Sequence, residues 1–235
     1  MVVSRIRTGL TALLATALLA GCTADDSEES LPDAETLLTD SAESIAEIDS
    51  AHVALETNGE VPNLPVTSLD GDLRRSDGRI EAKGSGKMQQ MGQLVQVEFV
   101  LTGDTLYLKG PTGDFQKLPS SVSSAMYDPS TLLDPDTGIA KVLRNVQDPE
   151  TMSNEQVQDT PTFKVTGTVP GNVIGELVPG VSDQAEATFW LAENDDHRPV
   201  KATVEFPETD GQDEPGRMTI TLSEVNEPVT VNPPA

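Results

Sequence analysis

Residues 78–101 read GRIEAKGSGKMQQMGQLVQVEFVL, and through most of this stretch the side chains change character at every step. Ile80, Ala82, Gly84, Gly86 and Met88 fall on one side of an extended chain, opposite Glu81, Lys83, Ser85 and Lys87. Val95, Val97, Phe99 and Leu101 then repeat the pattern, with Gln96 and Glu98 opposite. A period of two is the mark of a strand with one face turned to a core and one to water. The fold is therefore built around a sheet.

The same period continues outward in both directions. VTSLDGDL, residues 66–73, sets Leu69 and Leu73 on one side. Beyond a Gly103-Asp104 turn, TLYLK presents Leu106 and Leu108. Short alternating runs joined by tight turns predict an antiparallel meander with one apolar face. Further strands are expected at TFKVTGTV (162–169), AEATFWLAEN (185–194), PVKATVEF (199–206) and RMTITLSEV (217–225). Asn194-Asp195-Asp196 and Asp210-Gly211 supply turns between them.

Two segments follow the helical period instead. From Asp33 to Asp49, Leu37, Leu38, Ser41, Ile45 and Ile48 recur at steps of three and four, with acids opposite. His52 falls at the end of this first helical segment. In YDPSTLLDPDTGIAKVLRNVQD (127–148), Asp128-Pro129 and Asp134-Pro135 are helix-start signals, and Ile139, Val142, Leu143 and Val146 form a stripe. PGNVIGELVPG (170–180) reads as a short helix or an irregular hairpin. No repeat or interior break divides the chain. The predicted class is α+β: one large antiparallel sheet with helices packed on one face, in a single domain over residues 32–235.

The first 21 residues read as an address. Arg5 and Arg7 precede an apolar run from Gly9 to Ala20, which falls short of the ~20 residues of a membrane-spanning helix. It ends in Leu19-Ala20-Gly21-Cys22, the pattern of a bacterial lipoprotein signal. Cys22 is the only cysteine, so it has no disulfide partner within the chain. As a lipoprotein cysteine it receives diacylglycerol on its thiol and becomes the first residue of the mature protein. Residues 22–31 then form an acylated, acidic tether, and its eight residues Thr23–Ser30 reach roughly 25–30 Å when extended. The expected location is the cell membrane, lipid-anchored and facing the envelope or a periplasm-like space.

A net charge of −24 repels phosphate backbones, so nucleic acid is excluded as a partner. The sequence holds no HExxH, CxxC or G-x-S-x-G spacing, and only two histidines, His52 and His197. DPDTG (134–138) lacks the ligand spacing of a calcium loop and reads as a helix cap. No catalytic residue, metal site or cofactor is expected.

A deficit is more informative. Ala82, Gly84 and Gly86 point toward the face that helices should cover. Glycine inside a strand marks a bulge or a close backbone approach; alternatively, the missing volume leaves an apolar cavity. Aromatics make up only 3% of residues, which fits an aliphatic cavity lining.

Three blocks carry a family resemblance: LPDAETLLTDSAESIAEIDSAHVALETNGEVPNLPVTSLDGDL (31–73), YDPSTLLDPDTGIAKVLRNV (127–146) and MTITLSEVNEPVTVNPPA (218–235). Together they resemble the mycobacterial and actinobacterial LppX/LprA/LprF/LprG lipoproteins, nearest to the LprG-like members. The resemblance implies a sheet curved into a half-barrel with helices across its concave face, as in the LolA/LolB carriers. It implies a non-enzymatic carrier of acylated glycolipid or triacylglycerol, working with a major-facilitator exporter, and Cys22 matches the family's acylated cysteine; the chain is expected to be a monomer. The expected cavity lining is Leu69, Leu73, Ile80, Ala82, Gly84, Gly86, Met88, Val95, Val97, Phe99 and Leu106, with Leu132, Ile139 and Leu143 from the covering helices. The alternative is an anchored scaffold with a filled core and no lipid cargo.

Overall fold

Asp33 stops being extended and starts a helix because its carboxylate accepts hydrogen bonds from the Thr36 N–H and hydroxyl, each at 2.9 Å. These bonds hold the Asp33 carboxyl below its usual range. Helix α1 runs from Ala34 to Ser44 and closes through a 3-10 turn at Ile45–Glu47. Its predicted stripe of Leu37, Leu38, Ser41, Ile45 and Ile48 is fully buried. The structure, a computed structural model, describes residues 30–59, 61, 64–103, 105–119, 132–133, 136, 138–178, 180–207 and 215–234. Residues 31–235 form one compact unit.

The expected helix to Asp49 ends early, and Ser50–Asn58 is strand β1. His52 therefore sits in a strand. Ser50, Ala51, Val53 and Leu55 are buried, so the residues after Ile48 gain more from sheet pairing than from another helical turn. Strands β2 (Val66–Ser76), β3 (Arg79–Gln90), β4 (Gln93–Thr102), β5 (Thr105–Lys109) and β6 (Gln116–Pro119) follow as a meander. Helix α2 (Gly138–Arg144) then leads into β7 (Gln147–Val157) and β8 (Thr160–Val169). Helix α3 (Gly171–Leu177) connects to β9 (Ala185–Ala192), β10 (Pro199–Glu205) and β11 (Arg217–Ser223). Of the second helical segment, Asp128-Pro129 and Asp134-Pro135 lie outside the described residues, as do Asp104 and Asp210-Gly211 of the expected turns.

The eleven strands among the described residues belong to one antiparallel sheet, in the order β6-β5-β4-β3-β2-β1-β11-β10-β9-β8-β7. Two meanders are joined through the pairing of β1 with β11, so the first and last described strands lie side by side at the centre. The sheet stays open, with β6 and β7 at its edges. Edge position explains β7, which carries Pro149 and several exposed residues and has two register shifts. The described helices cover one face: α1 packs on α2 and on β7, and α2 on α3. The core between sheet and helices is drawn from Ala34 to Leu222, led by Phe189, Phe206, Leu37, Ile45 and Ile174. This is the expected α+β half-barrel with helices on its concave side.

Candidate functional site: an apolar trough open at one end

Register fixes which side chains share the concave face. Leu73, Ala82, Leu101 and Leu106 stand in one row across β2–β5. Gly71, Gly84, Phe99 and Leu108 form the next row, then Leu69, Gly86 and Val97, then Met88 and Val95. The eleven sheet residues expected to line a cavity thus face the same side, as period two requires.

They do not share one environment. Leu73, Ile80, Ala82 and Leu106 are buried in the core, as are Leu132, Ile139 and Leu143 from the covering segments. Leu69, Gly84, Gly86, Met88, Val95, Val97 and Phe99 are only half-buried. The division follows position along the strands. Burial falls away along β3 from Ile80 to Met88 and along β4 from Leu101 to Val95. Among the described residues, the concave face is therefore a trough closed at one end by packed helix and open at the other.

At the open end lies a recess of about 660 Å³ lined by Thr57, Gly59, Val61, Leu64, Pro65, Thr67 and Gln89. None of these residues stood in the expected lining. Most belong to the segment between β1 and β2, which has no periodicity to reveal its role. Val61 is buried, while Leu64, Val66 and Leu69 pack on the core and remain partly exposed. Half-exposed aliphatic side chains beside a recess offer acyl chains a surface to cover, at about 0.8 kcal/mol per buried methylene.

The glycines require a correction. Gly84 registers opposite Gly71, and a Cβ at Gly84 would strike the Asp70 carbonyl oxygen and the Gly71 Cα. A Cβ at Gly71 would meet the Lys83 carbonyl, and one at Gly86 would lie 2.9 Å from the Ser68 oxygen. The space in front of each glycine is held by the neighbouring strand's backbone. These residues let β2 and β3 approach closely, rather than supplying cavity volume.

The outer face of this half of the sheet is polar and largely paired. His52 shares a hydrogen bond from Nδ1 with Asp72 (2.9 Å) and one from Nε2 with Asp70 (3.3 Å). Lys83 reaches Asp72 at 3.4 Å, Arg74 donates to Glu81 at 2.7 Å, and Lys109 donates to Glu98 at 3.1 Å. Bonding to Asp72 chiefly, with Asp70 also contributing, raises the pKa of His52, and Asp72 is correspondingly lowered. His52, Asp72 and Glu224 are close enough to share a cation. However, both imidazole nitrogens already face carboxylates, an arrangement suited to a protonated ring rather than to a ligand's lone pair.

On the concave side, Arg75 fastens the closed end. Its Nη2 donates to the Leu133 carbonyl at 2.8 Å and lies 3.4 Å from that of Ile48. Cys22 and most of its tether lie outside the described residues.

A half-barrel whose apolar concave face is closed at one end and open at the other defines the architectural class. The chain belongs to the LppX_LprAFG lipoprotein family, whose model matches residues 33–231. It is 38% identical to the lipoarabinomannan carrier protein LprG of Mycolicibacterium hassiacum, across 98% of this chain and 100% of that one. With the protein of the same name from Mycolicibacterium smegmatis it shares 34% identity, over 96% and 95% of the two chains. Among solved structures, LprF from Mycobacterium bovis superposes with a TM-score of 0.74 at 28% identity, over 87% of this chain and 98% of that one. LppX from Mycobacterium tuberculosis gives 0.65 at 27%, over 86% and 100%.

Proposed function

We propose that this protein is a non-enzymatic lipid carrier, which takes the acyl chains of a glycolipid or triacylglycerol into the trough and moves them across the cell envelope. The observation that carries this reading is the gradient of burial along β3 and β4. A scaffold with a filled core has no reason to leave Leu69, Met88, Val95, Val97 and Phe99 half-exposed on the face that its helices cover. Relatives named lipoarabinomannan carrier protein and putative diacylated glycolipid transporter support the same reading.

Binding requires no chemistry beyond exclusion of water. Acyl chains lie along the aliphatic rows, and a polar headgroup stays at the open end, where Thr57, Thr67 and Gln89 offer hydrogen-bonding groups. The net negative charge does not oppose this, because the chains supply most of the affinity. Acylation of Cys22 holds the carrier at the membrane, and a second envelope component of the major-facilitator type receives or delivers the cargo.

Mass spectrometry of organic extracts from the purified protein, expressed from residue 23 onward without the acylated cysteine, tests the reading. Long-chain lipid should be recovered in stoichiometric amount. Protein that is folded, empty and refractory to loading with phosphatidylinositol or triacylglycerol overturns it in favour of the anchored scaffold.

A further inference from the structure

The hairpin joining β3 and β4 turns at Met91-Gly92, with both residues at positive φ, 51° and 77°. Gln90 pairs with Gln93, so this is a two-residue turn of the kind that favours Asn or Asp at its first position. The neighbouring hairpin obeys that preference: Asp77-Gly78 joins β2 to β3 at φ values of 50° and 74°. Here methionine occupies the left-handed position, and its side chain is 99% exposed. It contributes nothing to the core. Leu94, one strand residue further on, is 64% exposed.

A second observation concerns charge. From Met88 to Val97 the sequence is MQQMGQLVQV, ten residues without a charge in a chain of net charge −24. The next residue along β4, Glu98, is paired with Lys109, and exposed Lys87 stands at the base of the hairpin. The tip is thus a neutral, partly apolar point with a cation behind it, on a protein whose surface otherwise repels anionic bilayers. It also adjoins the open end of the trough. Gln89 lines the recess, and its N–H donates to the carbonyl of Pro65 in the recess wall at 2.7 Å.

We infer that the Met91-Gly92 hairpin is a membrane-docking tip, which inserts Met91 and Leu94 into the headgroup boundary of the bilayer and sets the open end of the trough against it. This deepens the carrier reading and rests on it for its purpose. An acyl chain leaving a bilayer crosses water unless the trough's open end touches the membrane. Two exposed apolar side chains, an uncharged strand end and a lysine that meets anionic headgroups provide that contact. The cost is a turn residue that is worse than asparagine for the fold alone.

The test uses the chain from residue 23 onward, whose core lies wholly within the compact unit of residues 31–235. Vesicles of phosphatidylcholine with phosphatidylinositol serve as donor and acceptor, with a pyrene-labelled phosphatidylinositol as cargo. Met91→Asn alone should keep or raise the melting temperature, because asparagine suits the turn. The double variant Met91→Asp/Leu94→Asp should reduce flotation with vesicles and slow lipid transfer at least about tenfold, the loss expected from removing two apolar insertions. Lipid bound at equilibrium should stay at the wild-type level in both variants. Unchanged flotation and transfer overturn the inference, and point instead to docking on a protein partner or to no docking at the tip. Equilibrium loading lost along with transfer also overturns it, because the tip would then be cavity wall. If the wild-type protein takes up no lipid, the carrier reading fails, and flotation alone still decides whether the tip docks.

Discussion

Gly71 and Gly84 face each other across β2 and β3, and a Cβ on either would enter the other strand's backbone. Contact this close is available only to glycine, and it lies midway along the concave face, between the buried row of Leu73 and Ala82 and the half-buried row of Leu69 and Gly86. The close approach and the change in burial therefore coincide.

Gly84→Ala should cost about 2 kcal/mol in urea unfolding, since the obstacle is backbone rather than a side chain that can swing away. Gly110 is the control. It has no atom within 4 Å of the added Cβ and no positive φ, so Gly110→Ala should be neutral or gain about 0.5 kcal/mol. Equal effects at the two positions would contradict the close approach.

The two ends of the trough should answer truncation differently. Leu73→Ala at the closed end should cost about 2–5 kcal/mol, because Leu73 is 2% exposed and leaves a cavity. Val97→Ala at the open end should cost less than about 1 kcal/mol. Val97→Trp should leave the melting temperature near wild type while reducing recoverable lipid severalfold. Val97 suits this test better than Gly86, where any side chain first meets the Ser68 carbonyl. Full loading of a folded Val97→Trp protein would place the cargo elsewhere.

Much of this was legible beforehand because β3 and β4 alternate strictly, and alternation fixes a face without reference to neighbours. The same logic located Leu37, Leu38, Ile45 and Ile48 on α1. It missed β1, whose few apolar positions follow an amphipathic helix closely enough to be read as its continuation. It missed β7 because an edge strand with exposed faces has no apolar period to detect. The recess escaped for a related reason: Val61, Leu64 and Pro65 sit in an irregular connection whose course depends on tertiary packing. The glycines were recognised as meaningful, but sequence alone cannot distinguish an empty space from one filled by another strand.

His52 links β1 to β2 from outside the sheet, and its pH dependence has a definite sign. Hydrogen bonding to Asp72, with Asp70 nearby, raises its pKa above the ordinary 6.5. The stabilisation is therefore complete below about pH 6.5 and is lost as pH rises through the folded-state value. Asp72 is lowered below its ordinary 3.8 by the same bond, so its contribution is present above that pH and lost as pH falls through its folded-state value. The pair contributes most in mildly acidic solution. Because the His52 and Asp72 side chains keep about a quarter of their surface in water and Asp70 is exposed, screening should hold the effect under about 1 kcal/mol. His52→Gln should flatten the difference between urea unfolding at pH 5.5 and pH 8.5, and an unchanged slope would show that the ring is not ionised.

In the proposed reading Cys22 is a second attachment to the membrane, and a variant there separates two ways of staying at it. The proposed anchor is acylation of this thiol, and two or more acyl chains hold a protein stably where one does not. Cys22→Ala should block acylation and shift the protein from the detergent-rich phase to the aqueous phase on phase partitioning. The hairpin at Met91 should still give the released chain weak, reversible contact with vesicles, because neither Met91 nor Leu94 depends on the anchor. Partitioning of Cys22→Ala into detergent as completely as wild type would assign membrane residence to the folded body or to an uncleaved leader, and the mass of the mature chain distinguishes these two outcomes.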